Sequence, residues 1–319
     1  MNTAVELPKV KRRSRRWLRI GALWSVVVIV AALASVAVVK FHWHDRLYFY
    51  VVSQFDAARW VGKSIWLPDY KVVIEAKPIV GIDDDLSGIT YDYDQDRLLA
   101  MTNAAPYMIV ALSKSGEIIE RYPLRGFDDP EGLTYMGDGL MAVADENLQQ
   151  LAFFRMPEHP GDIIDAKDTQ FLALGINLSK HNKGFEGVTY DAVNDRLFVT
   201  KERDPRQLYE ISGVKKSLEG KLQIRVLDLT SWVDRSVFAK DISDIYYDPN
   251  TGHLVVLSQE SALLIELSDQ GEMVSFRTLL GRFSDLKKST YGAEGLTMDN
   301  DGNLYVVSEP NLFYKFSKP

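Results

Sequence analysis

One short pattern recurs along this chain of 319 residues and constrains its fold more than any other feature. It reads EGLTY at Glu131–Tyr135, EGVTY at Glu186–Tyr190 and EGLTM at Glu294–Met298, with weaker copies LSGITY at 86–91 and ISDIYY at 242–247. Each copy leads into a turn rich in Asp, Asn and Gly and then into a second aliphatic strand, which is the pattern of a β-hairpin. The chain therefore holds five related hairpins.

The spacing of the copies predicts how many strands each unit holds. Residues at the equivalent position follow one another after 44, 55, 57 and 51 residues; they are Gly88, Gly132, Gly187, Asp244 and Gly295. A period of this length accommodates four antiparallel strands, which is typical of a β-propeller blade. We predict an all-β fold, a five-bladed β-propeller. A six-bladed alternative stays open if residues 145–185 or 201–242 hold a degenerate blade.

The two ends of the repeat region predict how the ring closes. Only one strand, Leu312–Ser317, follows the fifth hairpin, so the last blade lacks its outermost strand. The run Tyr70–Ala76 at the front of the region can supply it. Closure of this kind leaves no open sheet edge and gives the propeller the bounds 70–319.

The N-terminal part has the pattern of a membrane anchor. Residues 1–19 are basic, and Ile20 to Val39 are twenty residues without a charge, enough for a helix to cross a bilayer. Because the basic residues come first, we predict a single-pass inner-membrane protein with residues 1–19 in the cytoplasm and the propeller in the periplasm. Residues 40–69 would be a juxtamembrane linker or helix. The alternative is a signal peptide with Ala32–Ala34 as its cleavage site.

Composition excludes several functions. Residues 1–40 hold eight of the 37 Lys and Arg but one of the 44 Asp and Glu, so the remainder carries a formal net charge of −14. Such an acidic body repels nucleic acid and favours cations or cationic partners. The absence of cysteine excludes disulfides, thiol catalysis and thiolate metal sites.

The repeated acid predicts a functional face. In a propeller the first strand of each blade lines the axis, and the start of that strand lies at the same edge as the end of the second strand. We therefore expect two sets of side chains to converge around the axis. They are Glu131, Glu186 and Glu294 from the first strands, and Asn103, Asp145, Glu202 and Glu309 from the second strands. The loop Asp83–Asp85 enters the same face and either extends this ring or is solvated.

This set of oxygen donors, without His or Cys, is suited to Ca²⁺. Three interpretations stay open: a structural latch to the neighbouring blade's backbone, a calcium site without catalysis, or a catalytic metal centre. Lys201, Arg203 and Arg206 flank Glu202 and could bind an anionic ligand, although a surface charge run is the alternative.

Two segments carry a resemblance to known proteins. MDNDGNLYVVSEPNLFYKFS, near the C-terminus, resembles an NHL-type propeller repeat. Residues 67–319, from LPDYKVVIEAKPI through GFEGVTYD to AEGLTMDNDGN, resemble the SdiA-regulated (YjiK-like) family of bacterial proteins. The resemblance implies a membrane-anchored periplasmic β-propeller, and a calcium-regulated relative in this group implies that calcium and phosphate esters are relevant.

These observations predict two candidate functions. The first is a calcium-binding module that binds or senses a periplasmic protein or a small anionic ligand. The second is a calcium-dependent hydrolase, either a phytase-like phosphatase or a lactonase-like esterase, in which the metal would polarise the scissile group.

Overall fold

The computed structural model of the chain describes residues 14–40, 43–83, 85–174 and 184–319. The chain divides into two units, residues 1–48 and residues 49–319. Two helices, α1 (Ser14–Lys40) and α2 (Trp43–Trp60), precede the first strand. Residues 1–13 of the predicted basic segment and residues 41–42 of the predicted linker lie outside the described residues.

The predicted membrane anchor requires a correction. An uncharged run predicts a membrane span only if the helix that contains it is both long and apolar enough, and no helix among the described residues meets both conditions. The structure therefore does not support the prediction of a single-pass inner-membrane protein with a periplasmic propeller.

Residues after the second helix form five antiparallel sheets of four strands, and one of them gains a short fifth strand. This confirms the five-bladed β-propeller and excludes the six-bladed alternative for the part of the chain that the structure describes. Two short helices, α3 (Val214–Glu219) and α4 (Thr230–Ser236), lie in the connections between residues 212 and 225 and between residues 228 and 244.

The strands are numbered in chain order, and each blade is given from its innermost strand outward. Blade 1 holds β2 (Leu86–Asp92), β3 (Arg97–Thr102), β4 (Met108–Leu112), β5 (Ile118–Arg125) and β9 (Ile164–Asp165); blade 2 holds β6 (Pro130–Gly137), β7 (Leu140–Asp145), β8 (Gln150–Arg155) and β10 (Gln170–Ala173). Blade 3 holds β11 (Phe185–Asp191), β12 (Arg196–Lys201), β13 (Gln207–Ser212) and β14 (Arg225–Asp228); blade 4 holds β15 (Asp244–Tyr247), β16 (Leu254–Ser258), β17 (Leu263–Leu267) and β18 (Met273–Thr278). Blade 5 holds β19 (Ala293–Met298), β20 (Leu304–Ser308), β21 (Leu312–Ser317) and β1 (Lys71–Pro78).

The ring closes in the way that the sequence predicts. Strand β1, from the front of the domain, pairs antiparallel with the last strand, β21, from Lys71 opposite Ser317 to Pro78 opposite Leu312. Each innermost strand contacts the next, and β19 contacts β2, so the five blades surround one axis. Apolar side chains fill the space between blades; Ile89 of blade 1, for example, shares a buried cluster with Tyr305 and Phe313 of blade 5.

The threonine of the repeated pattern joins neighbouring blades. Thr90 of blade 1 accepts a hydrogen bond from the backbone N–H of Tyr135 in blade 2 at 3.1 Å, and Thr189 of blade 3 accepts one from Tyr247 of blade 4 at 2.9 Å. In blade 4, Asp244 replaces the glycine of the pattern, and its carboxylate accepts the N–H of Leu296 in blade 5 at 2.8 Å. The threonine of the pattern and Asp244 therefore bond neighbouring blades to each other.

The glycine of the pattern is required by the close approach of the innermost strands. A Cβ atom added to Gly132 would lie 2.0 Å from the backbone oxygen of Glu186, and one added to Gly295 would lie 2.7 Å from the backbone nitrogen of Ile89. No side chain fits at such distances, because the contacted atoms belong to the neighbouring blade's backbone.

A buried glutamate fixes the segment that leads into the propeller. Glu266 of β17 is fully buried, and it accepts the N–H groups of Ile65 at 2.7 Å and Trp66 at 3.0 Å. The same carboxylate contacts Nδ1 of His253 at 2.7 Å and accepts the hydroxyl of Ser275 at 2.5 Å. These bonds attach residues 65–67, which we call the entry segment, to blade 4.

Candidate functional site

A cavity of about 200 Å³ opens around the axis at the end of the propeller where the first strands begin. We call it the acid cavity. Six of the seven predicted metal-site residues line it: Asn103, Glu131, Glu186, Glu202, Glu294 and Glu309. Asp85, Ser87, Arg203 and Gln259 complete the lining. Asp84, from the predicted acidic loop, lies outside the described residues.

Strand pairing explains why residues so far apart in sequence meet in this cavity. Glu186 is the second residue of β11, whose first residue, Phe185, pairs with Lys201 at the end of β12. Glu202 follows directly, so both carboxylates lie at one edge of blade 3. Blade 5 repeats the arrangement, with Ala293 opposite Ser308. The five-fold ring then brings these edges together.

Glu131 accepts hydrogen bonds from two side chains that also line the acid cavity. Ser87 donates a hydrogen bond to its Oε2 at 2.7 Å, and Nδ2 of Asn103 donates one to its Oε1 at 2.6 Å. The other amide atom of Asn103, Oδ1, is buried and accepts no hydrogen bond within the described part of the chain. Such an oxygen costs about 1–3 kcal/mol of stability if it remains unsatisfied, so it is suited to receive a donor or a cation.

Two further acidic residues lie beside Glu131. Carboxylate oxygens of Asp129, Glu131 and Glu146 all lie within 4.8 Å of one another. One oxygen of Glu146 also accepts the N–H of Gly184 at 3.0 Å. The set of residues predicted from the sequence did not include Asp129. The signal for Asp129 is its position two residues before Glu131, in the loop that enters blade 2.

Burial makes these carboxyl groups hard to ionise. Burial, assisted by the charges of Asp129, Glu146 and Glu294, raises the pKa of Glu131 to about 9 against the opposing hydrogen bond from Ser87. Burial and then the charge of Glu309 raise the pKa of Glu294 to about 8. The pKa of Glu186 also lies well above its ordinary value, first through burial and then through its acidic neighbours.

Glu202 differs because it has a basic partner. Burial raises its pKa to about 7 although the charge of Arg203 lowers it. Nε of Arg203 lies 2.6 Å from Oε2 of Glu202, and Nη1 donates to Glu260 at 2.9 Å. Arg203 thus lies at the rim of the cavity between two carboxylates.

Three predicted residues do not reach the cavity. Asp145 is buried, and its carboxylate accepts the N–H groups of Asp128 and Leu148, both at 3.1 Å. Nζ of Lys201 donates to the carbonyl oxygens of Arg203 and Pro205, at 2.6 and 3.2 Å. The guanidinium of Arg206 donates to the carbonyl oxygens of Val237 and Ala239. Of the three basic residues, only Arg203 lines the cavity.

The donor set is compatible with calcium. Carboxylates, the amides of Asn103 and Gln259 and the hydroxyl of Ser87 line the cavity, and oxygen atoms of these kinds are the hard ligands that Ca²⁺ takes in proteins. The three clustered carboxylates that could hold the ion belong to Asp129, Glu131 and Glu146, and Glu131 is the one of these that also lines the acid cavity.

Solved structures of several propeller-like enzymes are similar to this chain at low identity. A luciferin-regenerating enzyme is 12% identical over 77% of this chain and 95% of its own, with a TM-score of 0.49. A gluconolactonase from Xanthomonas campestris is 9% identical over 78% and 96%, with a TM-score of 0.45. Virginiamycin B lyase from Staphylococcus aureus is 16% identical over 75% and 68%, with a TM-score of 0.41. Similarity at this level identifies none of their activities in this chain.

The family assignment is much firmer than these likenesses. The model of the SdiA-regulated family matches residues 62–317, which include all five blades. This range agrees with the resemblance carried by residues 67–319. The protein belongs to the SdiA-regulated family.

Proposed function

We propose that this propeller is a calcium-binding module whose acid cavity holds the ion and presents it to a ligand or partner. The observation that carries the proposal is the contact of Asn103 with Glu131. Nδ2 of Asn103 donates to the carboxylate of Glu131, which is clustered with the carboxylates of Asp129 and Glu146, and Oδ1 of Asn103 is buried and accepts no hydrogen bond from any residue that the structure describes. A structural latch alone does not account for this unsatisfied oxygen.

The electrostatics of the cavity support the same proposal. Burial, and then the charges of neighbouring carboxylates, raises the pKa of Glu131 and Glu294, so these groups ionise together only with a counter-charge. A divalent cation would replace the protons and stabilise the ionised forms. Binding of Ca²⁺ should therefore release protons near neutral pH.

The direct test is isothermal titration of the chelator-treated protein with Ca²⁺ at pH 7.5, in two buffers of different ionisation enthalpy. We expect saturable binding with proton release, and a higher unfolding temperature with calcium than with chelator. Glu131→Gln should abolish both effects. The matched control is Glu158→Gln, which changes an exposed acid outside the cavity. No binding, or equal binding by the two variants, would refute the proposal.

A second candidate function is hydrolysis, and the position of Glu202 favours it. A carboxyl group with a pKa of about 7 is suited to act as a general base at neutral pH. A bound Ca²⁺ would polarise the scissile carbonyl or phosphoryl oxygen. Glu202 would accept the proton of the attacking water, while Arg203 would orient the leaving or scissile oxygen.

The ligand's charge decides between the two hydrolase types. A phytase-like phosphatase needs several basic residues around the phosphate, and Arg203 is the only one among the described residues that line the cavity. A lactone is neutral and needs no such cluster. Hydrolysis of lactone esters by the wild type but not by Glu202→Gln, with calcium binding retained, would support this candidate. Calcium binding without turnover of either ester class would leave the binding module.

A further inference from the structure

A second cavity, of about 470 Å³, is lined by the C-terminal end of α2, the entry segment and the end of the last strand's tail. We call it the indole cavity, because the indole rings of Trp60 and Trp66 line it. Three exposed polar residues, Gln54, Asp69 and Lys318, also line it. No residue of the acid cavity takes part. Its volume lies in the range of about 300–1,000 Å³ that small-molecule sites have in proteins.

The helical wall of this cavity is fixed on the propeller. The ring of Phe49 in α2 stacks on Phe238, with the two ring centroids 4.4 Å apart. Near the end of the same helix, the guanidinium of Arg59 lies 2.6 Å from the carboxylate of Glu272. Contacts at both places keep this part of α2 against the propeller, so the cavity exists before any ligand arrives.

One buried pair positions both indole rings. Trp60 packs edge to face on His253, with ring centroids 5.5 Å apart, and the N–H of Trp66 donates to Glu266, the partner of His253. Trp66 has a left-handed backbone, with φ 51° and ψ 73°, which is strained for a bulky residue. Glycine would adopt this backbone without strain, so the chain carries an aromatic ring here at an energetic cost.

The polar groups of the cavity decide which ligand suits it. The charges of Asp69 and Lys318 are opposite, so the lining favours neither an anion nor a cation. The side chains of Gln54 and Asp69 make no hydrogen bond or ion pair with other described residues. Amide, carboxylate and ammonium groups together both donate and accept hydrogen bonds. A sugar complements this set, because its hydroxyls do the same while the C–H faces of its rings pack on indole.

We propose that the indole cavity binds a neutral carbohydrate of about disaccharide size. The C–H faces of the sugar pack on Trp60 and Trp66, and its hydroxyls bond to Gln54, Asp69 and Lys318. The proposal goes beyond the proposed function and does not rest on calcium, because the two cavities share no lining residue.

The test titrates the full chain with maltose, cellobiose, sucrose and N,N′-diacetylchitobiose, by calorimetry and by tryptophan fluorescence. We expect saturable binding of at least one disaccharide, with a change in tryptophan emission. Its affinity should be the same at about 0.05 M and 0.5 M salt, because a neutral ligand is not screened. Leucine, titrated in parallel, distinguishes a zwitterion that would place its charges on Asp69 and Lys318.

Two neighbouring alanines of α2 provide a matched pair of variants. Ala57 lines the cavity, whereas Ala58 is exposed and does not. Ala57→Trp fills the cavity and should weaken disaccharide binding at least about tenfold, while Ala58→Trp should bind as the wild type does. Should Ala57→Trp fail to fold, Trp66→Gly removes one indole and suits the backbone of that position; it should weaken binding about tenfold as well.

Three results would overturn the inference: no saturable binding of any of the four disaccharides, equal affinity in the two alanine variants, or binding of leucine in place of the sugars. Calcium titration of the same samples separates this inference from the proposed function. Calcium binding without sugar binding leaves the proposed function intact and removes this inference, and sugar binding without calcium binding does the reverse.

Discussion

Replacing Glu131 with glutamine should stabilise the calcium-free protein, although it removes a residue of the candidate site. The pKa of this carboxyl group rises from its ordinary 4.5 to about 9 on folding. The folded protein therefore holds a proton on Glu131 at neutral pH that the unfolded chain has released. Stability that depends on this proton is complete below pH 4.5 and is lost as the pH rises toward 9. Glutamine does not titrate, so it avoids this loss.

The magnitude follows from the distance between pH 7 and the ordinary pKa. At about 1.36 kcal/mol for each pH unit, wild-type protein loses about 3 kcal/mol of stability at pH 7 through Glu131. The amide of glutamine can still accept the hydrogen bond from Asn103, and its N–H₂ can donate to Ser87, so both contacts survive. In a domain of this size the gain corresponds to a rise in unfolding temperature of about 6–12 °C.

Urea denaturation in chelator at pH 5 and pH 7 measures the effect. Glu131→Gln should be close to wild type at pH 5 and clearly more stable at pH 7, while the exposed control Glu158→Gln should stay within about 0.5 kcal/mol at both. A variant that is less stable than wild type at pH 7, or that gains equally at pH 5, would show that burial does not hold the proton on this carboxyl group.

Three further predictions concern the ring, the entry segment (residues 65–67) and the candidate cation. Gly132→Ala places a Cβ atom 2.0 Å from a backbone oxygen and should lower the free energy of unfolding by at least about 3 kcal/mol. Gly220→Ala, where the nearest atom to the added Cβ lies at 3.5 Å, should be nearly neutral. Thermal unfolding distinguishes the two variants. Glu266→Ala leaves two backbone amides and His253 without their buried partner and should lower the free energy of unfolding, measured by urea denaturation, by about 3–5 kcal/mol. Its control, Glu272→Ala, breaks an exposed ion pair and should lower it by less than about 1 kcal/mol. Calcium affinity should rise between pH 7 and pH 9, by up to about tenfold per pH unit for each proton displaced, and calorimetric titrations that give a flat profile would contradict proton release from the acid cavity.

The repeat made the backbone predictable. A five-fold pattern with a period near 50 residues specifies four-stranded blades, and the missing outermost strand of the last blade specifies how the ring closes. The same reasoning places Glu131, Glu186 and Glu294 at one end of the axis, because equivalent positions in equivalent strands share an edge. Whether these residues bind a metal stays a prediction.

Side-chain direction was not predictable in the same way. Asp145 and Lys201 occupy the expected strand ends, yet their polar atoms turn to nearby backbone groups instead of the cavity. A period fixes where a Cα atom lies, but local hydrogen bonds decide where a side chain points. Asp129 was missed because it lies in a loop before the strand, where the repeat gives no alignment. The prediction of a membrane span was wrong because it relied on the uncharged run alone. It did not consider whether the helix that contains this run is long and apolar enough.

The order in which the blades are made has a consequence for the acid cavity. Its walls come from blades 1, 2, 3, 4 and 5, and Glu309 lies ten residues from the C-terminus. During synthesis from the N-terminus, the first glutamates of the cavity therefore stay exposed until the hairpin of blade 5 has been made and β21 pairs with β1. A chain that lacks this hairpin would lose the cavity together with the ring, so occupancy of the cavity would report that the ring has closed.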